Sequence, residues 1–225
     1  MKADGSNRKV IFDDPQRSAL APVWSPRGDE IALGLGEFFQ MMPGRQDVTS
    51  RLAIIRSDGS GLRVLAGASD HAGFPSWSPD GKRLVYRTSA DKGKGLRIID
   101  LATERVTELT NGPQTDNFPA WSPVGDQIAF TSDHDGDYEI YTIRPDGTNL
   151  KRLTQSPGND AHLAWSHDGK WIAFASARTG FTDEMVLHPY NGQATGEIFV
   201  MRADGSDLRR LTENQFEDAT PGWRP

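Results

Sequence analysis

The chain has 225 residues, and 25 Lys and Arg against 31 Asp and Glu give a formal net charge of −6 at pH 7. This acidic balance argues against a nucleic-acid surface, which usually needs a clustered basic face. No apolar run approaches the ~18 residues of a membrane span, and the absence of cysteine excludes disulfides, thiolate metal sites and a cysteine nucleophile.

The first predicted element is a short strand over Arg8–Phe12, preceded by a turn within residues 1–6. Residues 1–6 contain no apolar stretch of the kind found in a secretory signal, so this part of the sequence assigns no compartment. Residues 1–6 match the end of a third strand and its hairpin, and Arg8–Phe12 matches the outer strand that follows it.

A five-residue phrase then recurs along the chain. Its complete copies are Trp24–Gly28, Trp77–Gly81, Trp121–Gly125 and Trp165–Gly169, and a fifth copy begins at Trp223. The last three complete copies follow one another at an interval of about 44 residues, and a fixed period in this range indicates a repeat architecture.

Proline stands two residues before the tryptophan in four of the five copies, at Pro22, Pro75, Pro119 and Pro221. A strand tolerates proline only where the missing N–H would face away from a partner strand. The phrase therefore predicts an inner strand that lines a central channel. The tryptophans are interpreted as packing between repeat units, because large aromatic side chains mostly contribute core area.

Each phrase is followed by three further predicted strands. The second strands are predicted at Glu30–Leu35, Arg83–Thr88, Gln127–Ser132 and Trp171–Ser176. An Asp-Gly hairpin precedes the outer strand in three units, at Asp58, Asp146 and Asp204, since this dipeptide readily adopts positive φ. Four short antiparallel strands per unit predict an all-β propeller, with one blade per repeat.

Two units are longer than the others, with extra residues at Glu37–Thr49 and Thr179–Gly196. Long loops on a repeat scaffold often carry binding function, but they also fold down over blade ends. Both interpretations remain open from the sequence.

The chain begins inside one repeat and ends one phrase into another. We expect a single domain over residues 1–225, with four complete blades and a partial fifth built from both termini. This organisation predicts an N-terminally truncated piece of a ring of about six blades. An open ring would expose an inner face, which predicts a possible homodimer.

Three segments carry a family resemblance: residues 77–86, Asp137–Tyr141 and Arg202–Ser206. They resemble the TolB-type, WD-like propeller repeat, and the resemblance covers nearly the whole chain. It implies a periplasmic or secreted location. The same repeat also occurs in the gating propellers of prolyl-oligopeptidase-type peptidases and in oligogalacturonate-lyase-like enzymes.

Repeat equivalence singles out a candidate ligand site. The position five residues before tryptophan holds Asp116, Asp160 and Asp218 in three units, with Asn117 and His162 beside them. Equivalent positions of parallel-running inner strands form a ring at one channel mouth, where carboxylates and imidazole would bind a divalent cation or a cationic group. The alternative is that each aspartate caps its own inter-blade turn.

Catalytic motifs are missing: the sequence contains no Gly-x-Ser-x-Gly elbow, no His-Glu-x-x-His and no phosphate-binding glycine loop. The preferred hypothesis is a non-enzymatic scaffold that binds a protein or peptide, with no cofactor. The alternatives are a metal-assisted lyase or hydrolase at the channel mouth and the regulatory propeller of a prolyl-oligopeptidase-type peptidase.

Overall fold

The computed structural model describes residue 6 and residues 8–36, 49–65, 71–88, 94–179, 196–214 and 218–223. Within these ranges the chain forms sixteen strands and no helix. No membrane-spanning helix is found in the same ranges. Most of the two predicted insertions, residues 37–48 and 180–195, lies outside them.

The strands are short and regularly spaced. They are β1 Ser18–Trp24, β2 Glu30–Gly36, β3 Ser50–Arg56, β4 Arg63–Val64, β5 Ala72–Trp77, β6 Arg83–Thr88, β7 Gly95–Asp100, β8 Val106–Glu108, β9 Asp116–Trp121, β10 Ile128–Ser132, β11 Glu139–Ile143, β12 Lys151–Arg152, β13 Asp160–Trp165, β14 Trp171–Ser176, β15 Glu197–Arg202 and β16 Arg209–Arg210.

Four antiparallel sheets of four strands each contain all of these elements. Each sheet takes its strands in chain order, and we call the sheets blades 1 to 4, from β1–β4 to β13–β16. The predicted blades are therefore confirmed, and the predicted second strands at Arg83–Thr88 and Trp171–Ser176 agree with the structure residue for residue. The hairpin glycines also have the expected positive φ, for example 82° at Gly147.

The tryptophans of the phrase join neighbouring blades. The indole N–H of Trp77 donates to the carbonyl oxygen of Val23 at 3.1 Å, and that of Trp165 donates to Ala120 at 3.0 Å. Trp223 repeats this bond to Ala164 at 3.0 Å, and in all three cases the acceptor belongs to the preceding blade. The interpretation as inter-blade packing is thus confirmed for these three side chains and for Trp121, which is buried between blades 2 and 3, whereas it is wrong for Trp24, which is 58% exposed.

The hydrophobic core is divided into layers between successive blades. Between blades 1 and 2, Leu52 and Ile54 pack with Trp77, Leu84 and Tyr86. Equivalent clusters fill the space between blades 2 and 3 and between blades 3 and 4. A blade is therefore stable only against its neighbours, as expected for a repeat architecture.

The turn after each tryptophan is closed by its serine. Ser166 Oγ donates to Asp168 Oδ1 at 2.7 Å and accepts the backbone N–H of Trp171 at 3.0 Å. The Ser166 bond, together with the backbone N–H of Lys170, lowers the pKa of Asp168 to about 2. The same arrangement recurs at Ser78, so the phrase encodes both the turn and the start of the second strand.

The predicted strand at Arg8–Phe12 is wrong as a strand, because these residues pair with no strand among the described residues. Its residues nevertheless occupy the place of a preceding blade's outer strand. Lys9 Nζ donates to the carbonyl of Asp58 in the hairpin of blade 1, as Lys151 of blade 3 does to Asp204 of blade 4. Ile11 and Phe12 also pack against the core of blade 1.

Candidate functional site

A cavity of about 460 Å³ lies where the four inner strands meet. It is lined by Ala21, Pro22, Val23, Phe74, Pro75, Phe118, Pro119, His162, Leu163, Thr220 and Pro221. All four Pro-x-Trp prolines are in this lining, which confirms that the phrase places its strand on the channel. The volume falls within the range of small-ligand pockets.

One residue of each inner strand enters the channel in a strained conformation. Three residues before each tryptophan, φ is positive: 48° at Ala21, 52° at Phe74, 47° at Phe118, 53° at His162 and 51° at Thr220. In blades 1 to 4 the pairing register shifts at this position, as in a β-bulge. Positive φ is uncommon for bulky side chains, and bulges often re-aim a residue toward a functional site.

Three of these residues are rings in contact with one another, and we call Phe74, Phe118 and His162 the aromatic shelf. The Phe74 and Phe118 rings meet edge to face with centroids 5.0 Å apart. The Phe118 and His162 rings lie tilted at 4.4 Å. The shelf therefore gives blades 2 to 4 a continuous aromatic surface toward the cavity.

A cation lies at one edge of the shelf. The guanidinium carbon of Arg87 on β6 is 5.7 Å from the centroid of the Phe74 ring. Its Nη1 is 3.4 Å from Oδ1 of Asn117, which also accepts the backbone N–H of Phe118 at 3.0 Å. Burial lowers the pKa of Arg87 from its usual value, although the guanidinium stays charged at neutral pH.

Asp116 and Asp160, two of the aspartates predicted to share a ligand site, each bind a different set of side chains in the structure. Asp116 is buried, and its Oδ2 accepts the Thr110 hydroxyl at 2.5 Å. Asp160 is fully buried, accepts the Ser176 hydroxyl at 2.5 Å and forms an ion pair with Arg178 at 2.6 Å. Both carboxylates thus have partners within the scaffold, and these partners are side chains and not the backbone N–H groups that the turn-capping alternative expects.

Of the other predicted site residues, Asp218 is bonded within the scaffold, whereas Asn117 and His162 lie at the aromatic shelf. Asp218 is half-buried, accepts the Asn214 amide at 2.7 Å and pairs with Gly196 in an isolated bridge. Asn117 contacts Arg87, and His162 lies in the aromatic shelf. The described ranges contain no group of three His, Asp or Glu side chains that could hold a metal ion, so a cation site at these residues stays a prediction.

His162 makes the stability of the fold dependent on pH. Burial lowers the pKa of its imidazole below the ordinary value of 6.5, because the charged form loses hydration beside Phe118. The unfolded chain therefore binds more protons than the native state below pH 6.5, and the stability contributed by this group is lost as the pH falls through that region. We expect the free energy of unfolding to fall between pH 7.5 and 5.5 by less in His162→Gln than in the wild type, measured by urea titration at both pH values. An equal fall in both proteins would show that His162 is not protonated differently in the two states.

Sequence reasoning named His162, as part of a cation site, but missed Phe74, Phe118 and Arg87. The shelf residues stand directly before the proline or leucine of each Pro-x-Trp phrase, so their fixed distance from tryptophan was a usable signal. The positive φ of the shelf residues could not be predicted from the sequence, because a residue before proline ordinarily adopts an extended conformation. Arg87 lies in a strand with no motif, and only the pairing of β5 with β6 brings it beside Phe74 at the edge of the shelf.

The comparisons with known proteins agree on the fold. The model of the TolB beta propeller domain matches residues 38–195, more than half of the chain. The Tol-Pal system protein TolB of Ruthia magnifica subsp. Calyptogena magnifica is 28% identical over 108 residues, which are 48% of this chain and 23% of that protein.

Two solved structures add detail. TolB from Acinetobacter baumannii superposes with a TM-score of 0.72 at 22% identity, covering 96% of this chain and 49% of that one. An oligogalacturonate lyase from Vibrio parahaemolyticus superposes with a TM-score of 0.63 at 14% identity, covering 90% and 56%. The chain thus spans about half of either structure and about a quarter of the curated relative, and these likenesses establish the fold alone.

Proposed function

Because the chain belongs to the TolB beta propeller family, we propose that it is a non-enzymatic scaffold that binds a protein partner through its central channel. The observation that carries this proposal is the cavity whose wall holds the aromatic shelf. Aromatic rings that protrude into a concave site are typical anchors of recognition.

The shape of the cavity favours an extended peptide segment of the partner. A volume of about 460 Å³ admits a few side chains but no folded domain. The inner strands β1, β5, β9 and β13 are paired on one side only, so their other edges carry backbone groups toward the channel. A segment in extended conformation can meet both the rings and these backbone groups.

The strained backbone supports the same site. A bulky residue with positive φ costs of order 1–3 kcal/mol, and such residues cluster where function needs them. Phe74 and Phe118 adopt this conformation although neither is glycine or asparagine. Their rings consequently enter the channel instead of the core between the blades.

The family supports the proposal of a protein partner and of a location outside the cytoplasm. The curated relative is named as a protein of the Tol-Pal system, and we infer that the present chain also meets a protein partner, in the periplasm or outside the cell. The matched segment is 23% of that relative, so the composition of its assembly is not transferred. A homodimer stays a prediction from the sequence.

We expect Phe118→Ala to weaken the binding of channel peptides by about 30-fold, since loss of a central aromatic anchor costs about 2 kcal/mol. The peptides would be selected from a random displayed library against the wild-type protein, and their dissociation constants measured by fluorescence anisotropy.

Leu150→Ala is the matched control, because Leu150 is an exposed apolar residue that lies outside the channel lining. Selected peptides that bind Phe118→Ala as tightly as the wild type, while losing affinity for Leu150→Ala, would place binding on the outer edge and reject the channel.

The enzymatic alternatives remain predictions. A metal-assisted lyase or hydrolase would need the carboxylates of Asp116, Asp160 and Asp218 to be available for a cation. Two of these three already accept hydroxyl groups at 2.5 Å, and Asp160 is also paired with Arg178. The binding function is therefore preferred.

A further inference from the structure

We propose that the channel is selective for a peptide with a carboxylate next to an apolar side chain, with Arg87 binding the carboxylate and the aromatic shelf receiving the side chain. This inference rests on the proposed function and names the chemistry of its ligand.

The environment of Arg87 contains neutral groups. Its neighbours are the amide oxygen of Asn117 and the ring of Phe74. Tyr138 also lies close enough to interact, and burial raises the pKa of its phenol, which keeps it uncharged. Asp133 interacts with Tyr138, but no acidic side chain forms an ion pair with the Arg87 guanidinium within the described ranges, so this half-buried cation lacks a direct counter-charge there.

Four other half-buried arginines differ in this respect, whereas Arg83, which lies over the Trp121 ring, is like Arg87 in having no ion pair among the described residues. Arg178 is paired with Asp160 at 2.6 Å, and Arg97 with Glu108 at 2.9 Å. Arg152 and Arg210 are each paired at 2.9 Å with a buried glutamate. These four arginines therefore have the counter-charge that the cost of burying a charge requires, and Arg87 does not.

The repeat itself does not require an arginine at this place. The positions equivalent to Arg87 in blades 1, 3 and 4 hold the small residues Gly34, Thr131 and Ala175. Among the four blades, a long cationic side chain at this position therefore occurs in blade 2 alone, where it contacts the Phe74 ring at the edge of the shelf.

Room for a ligand group exists beside this side chain. Arg87 is paired with Gly73, and directly opposite residues of an antiparallel pair share one face of the sheet. A Cβ built on Gly73 would meet no described atom within 4 Å, although Gly73 itself is buried. Apart from the chain neighbours of Gly73, the described residues therefore leave room on this face of the sheet for a small group, next to Phe74 of the cavity wall.

These features favour a carboxylate over other anions. Guanidinium groups bind carboxylates through charge-assisted and often bidentate hydrogen bonds. Arg87 is the one cationic side chain in contact with the shelf among the described residues, and a phosphate dianion would usually need more positive charge. Burial keeps His162 neutral at pH 7, so the rest of the shelf favours an apolar side chain.

The experiment uses four short peptides and isothermal titration at pH 7.5. The first pair is acetyl-Phe-Gly-Gly with a free terminal carboxylate and the same peptide as its amide. The second pair is acetyl-Phe-Asp-Gly amide and its asparagine isostere. The two pairs separate a chain terminus from an acidic side chain as the source of the carboxylate. We expect at least one acidic probe to bind the wild type about tenfold or more tightly than its neutral partner.

Arg87→Gln is expected to abolish this difference while leaving the neutral peptides unaffected. Arg83→Gln is the matched control, because Arg83 lies on the same strand, also over an aromatic ring, at 4.8 Å from the Trp121 centroid. Melting temperatures of both variants verify that they are folded.

Two results would overturn the inference, and they differ in what they say about the proposed function. Equal binding of acidic and neutral probes, weakened in Phe118→Ala, would reject the carboxylate site and retain the channel as a peptide site. Absence of binding by all four probes at millimolar concentration would reject the carboxylate site and, for short peptides of this kind, the channel as a peptide site.

Discussion

Replacing Asp160 by alanine is expected to lower the free energy of unfolding by about 3–5 kcal/mol. Asp160 is fully buried on β13, and its carboxylate accepts the hydroxyls of Ser176 and Ser156. Its removal leaves the guanidinium of Arg178 without its counter-charge in a side chain that is only 15% exposed. Leaving this buried charge unpaired lowers the free energy of unfolding by more than the loss of the hydrogen bonds does.

Urea titration would measure this loss, with Asp218→Ala as the matched control. Asp218 occupies the equivalent position but is half-buried and accepts an amide hydrogen bond from Asn214, so its removal is expected to cost about 1 kcal/mol. Metal content would be measured on the same samples. An Asp160→Ala protein with wild-type stability that had lost a stoichiometric metal ion would support the cation site and contradict the structural role.

The second large effect concerns the repeated tryptophans, which are alike in sequence and unlike in structure. We expect Trp77→Ala to destabilise the protein by about 3–5 kcal/mol, as for other buried tryptophans. Trp77 is 6% exposed in the core between blades 1 and 2 and donates to the carbonyl of Val23. Its loss leaves a cavity and an unmatched carbonyl at an interface between blades.

Trp24→Ala provides the comparison, because Trp24 opens the same phrase in blade 1 but is 58% exposed. Its replacement is expected to change the free energy of unfolding by no more than about 0.5 kcal/mol, as for other surface positions. Similar decreases in the free energy of unfolding in the two variants would mean that the packing of Trp77 between blades 1 and 2 contributes little to the stability of the protein.

The repeat made the fold predictable from the sequence. Turn chemistry recurs at fixed distances from each tryptophan, and hydrophobic alternation between the turns defines strands such as Arg83–Thr88. The element that could not be predicted well was Arg8–Phe12, whose residues have strand propensity but no described partner. Strand formation depends on pairing, and pairing is a property of the surroundings.

The candidate site was predictable only in part. Equivalence correctly placed Asp116 and Asp160 at corresponding positions of neighbouring blades, yet it did not show that Thr110 and Arg178 occupy their carboxylates. Those partners come from the inter-blade connection and from the end of β14. The role of Arg87 depends on the register of β5 with β6, which no local pattern specifies.

The central claim is that a partner peptide binds in the channel, and photo-crosslinking tests it most directly. A photoreactive phenylalanine analogue would replace Ala21 or Thr220, which line the cavity, and in a separate variant Leu150, which is exposed outside it. We predict that library-selected peptides crosslink to the protein at positions 21 and 220, and that unlabelled peptide competes with this reaction. Crosslinking confined to position 150 would contradict the claim.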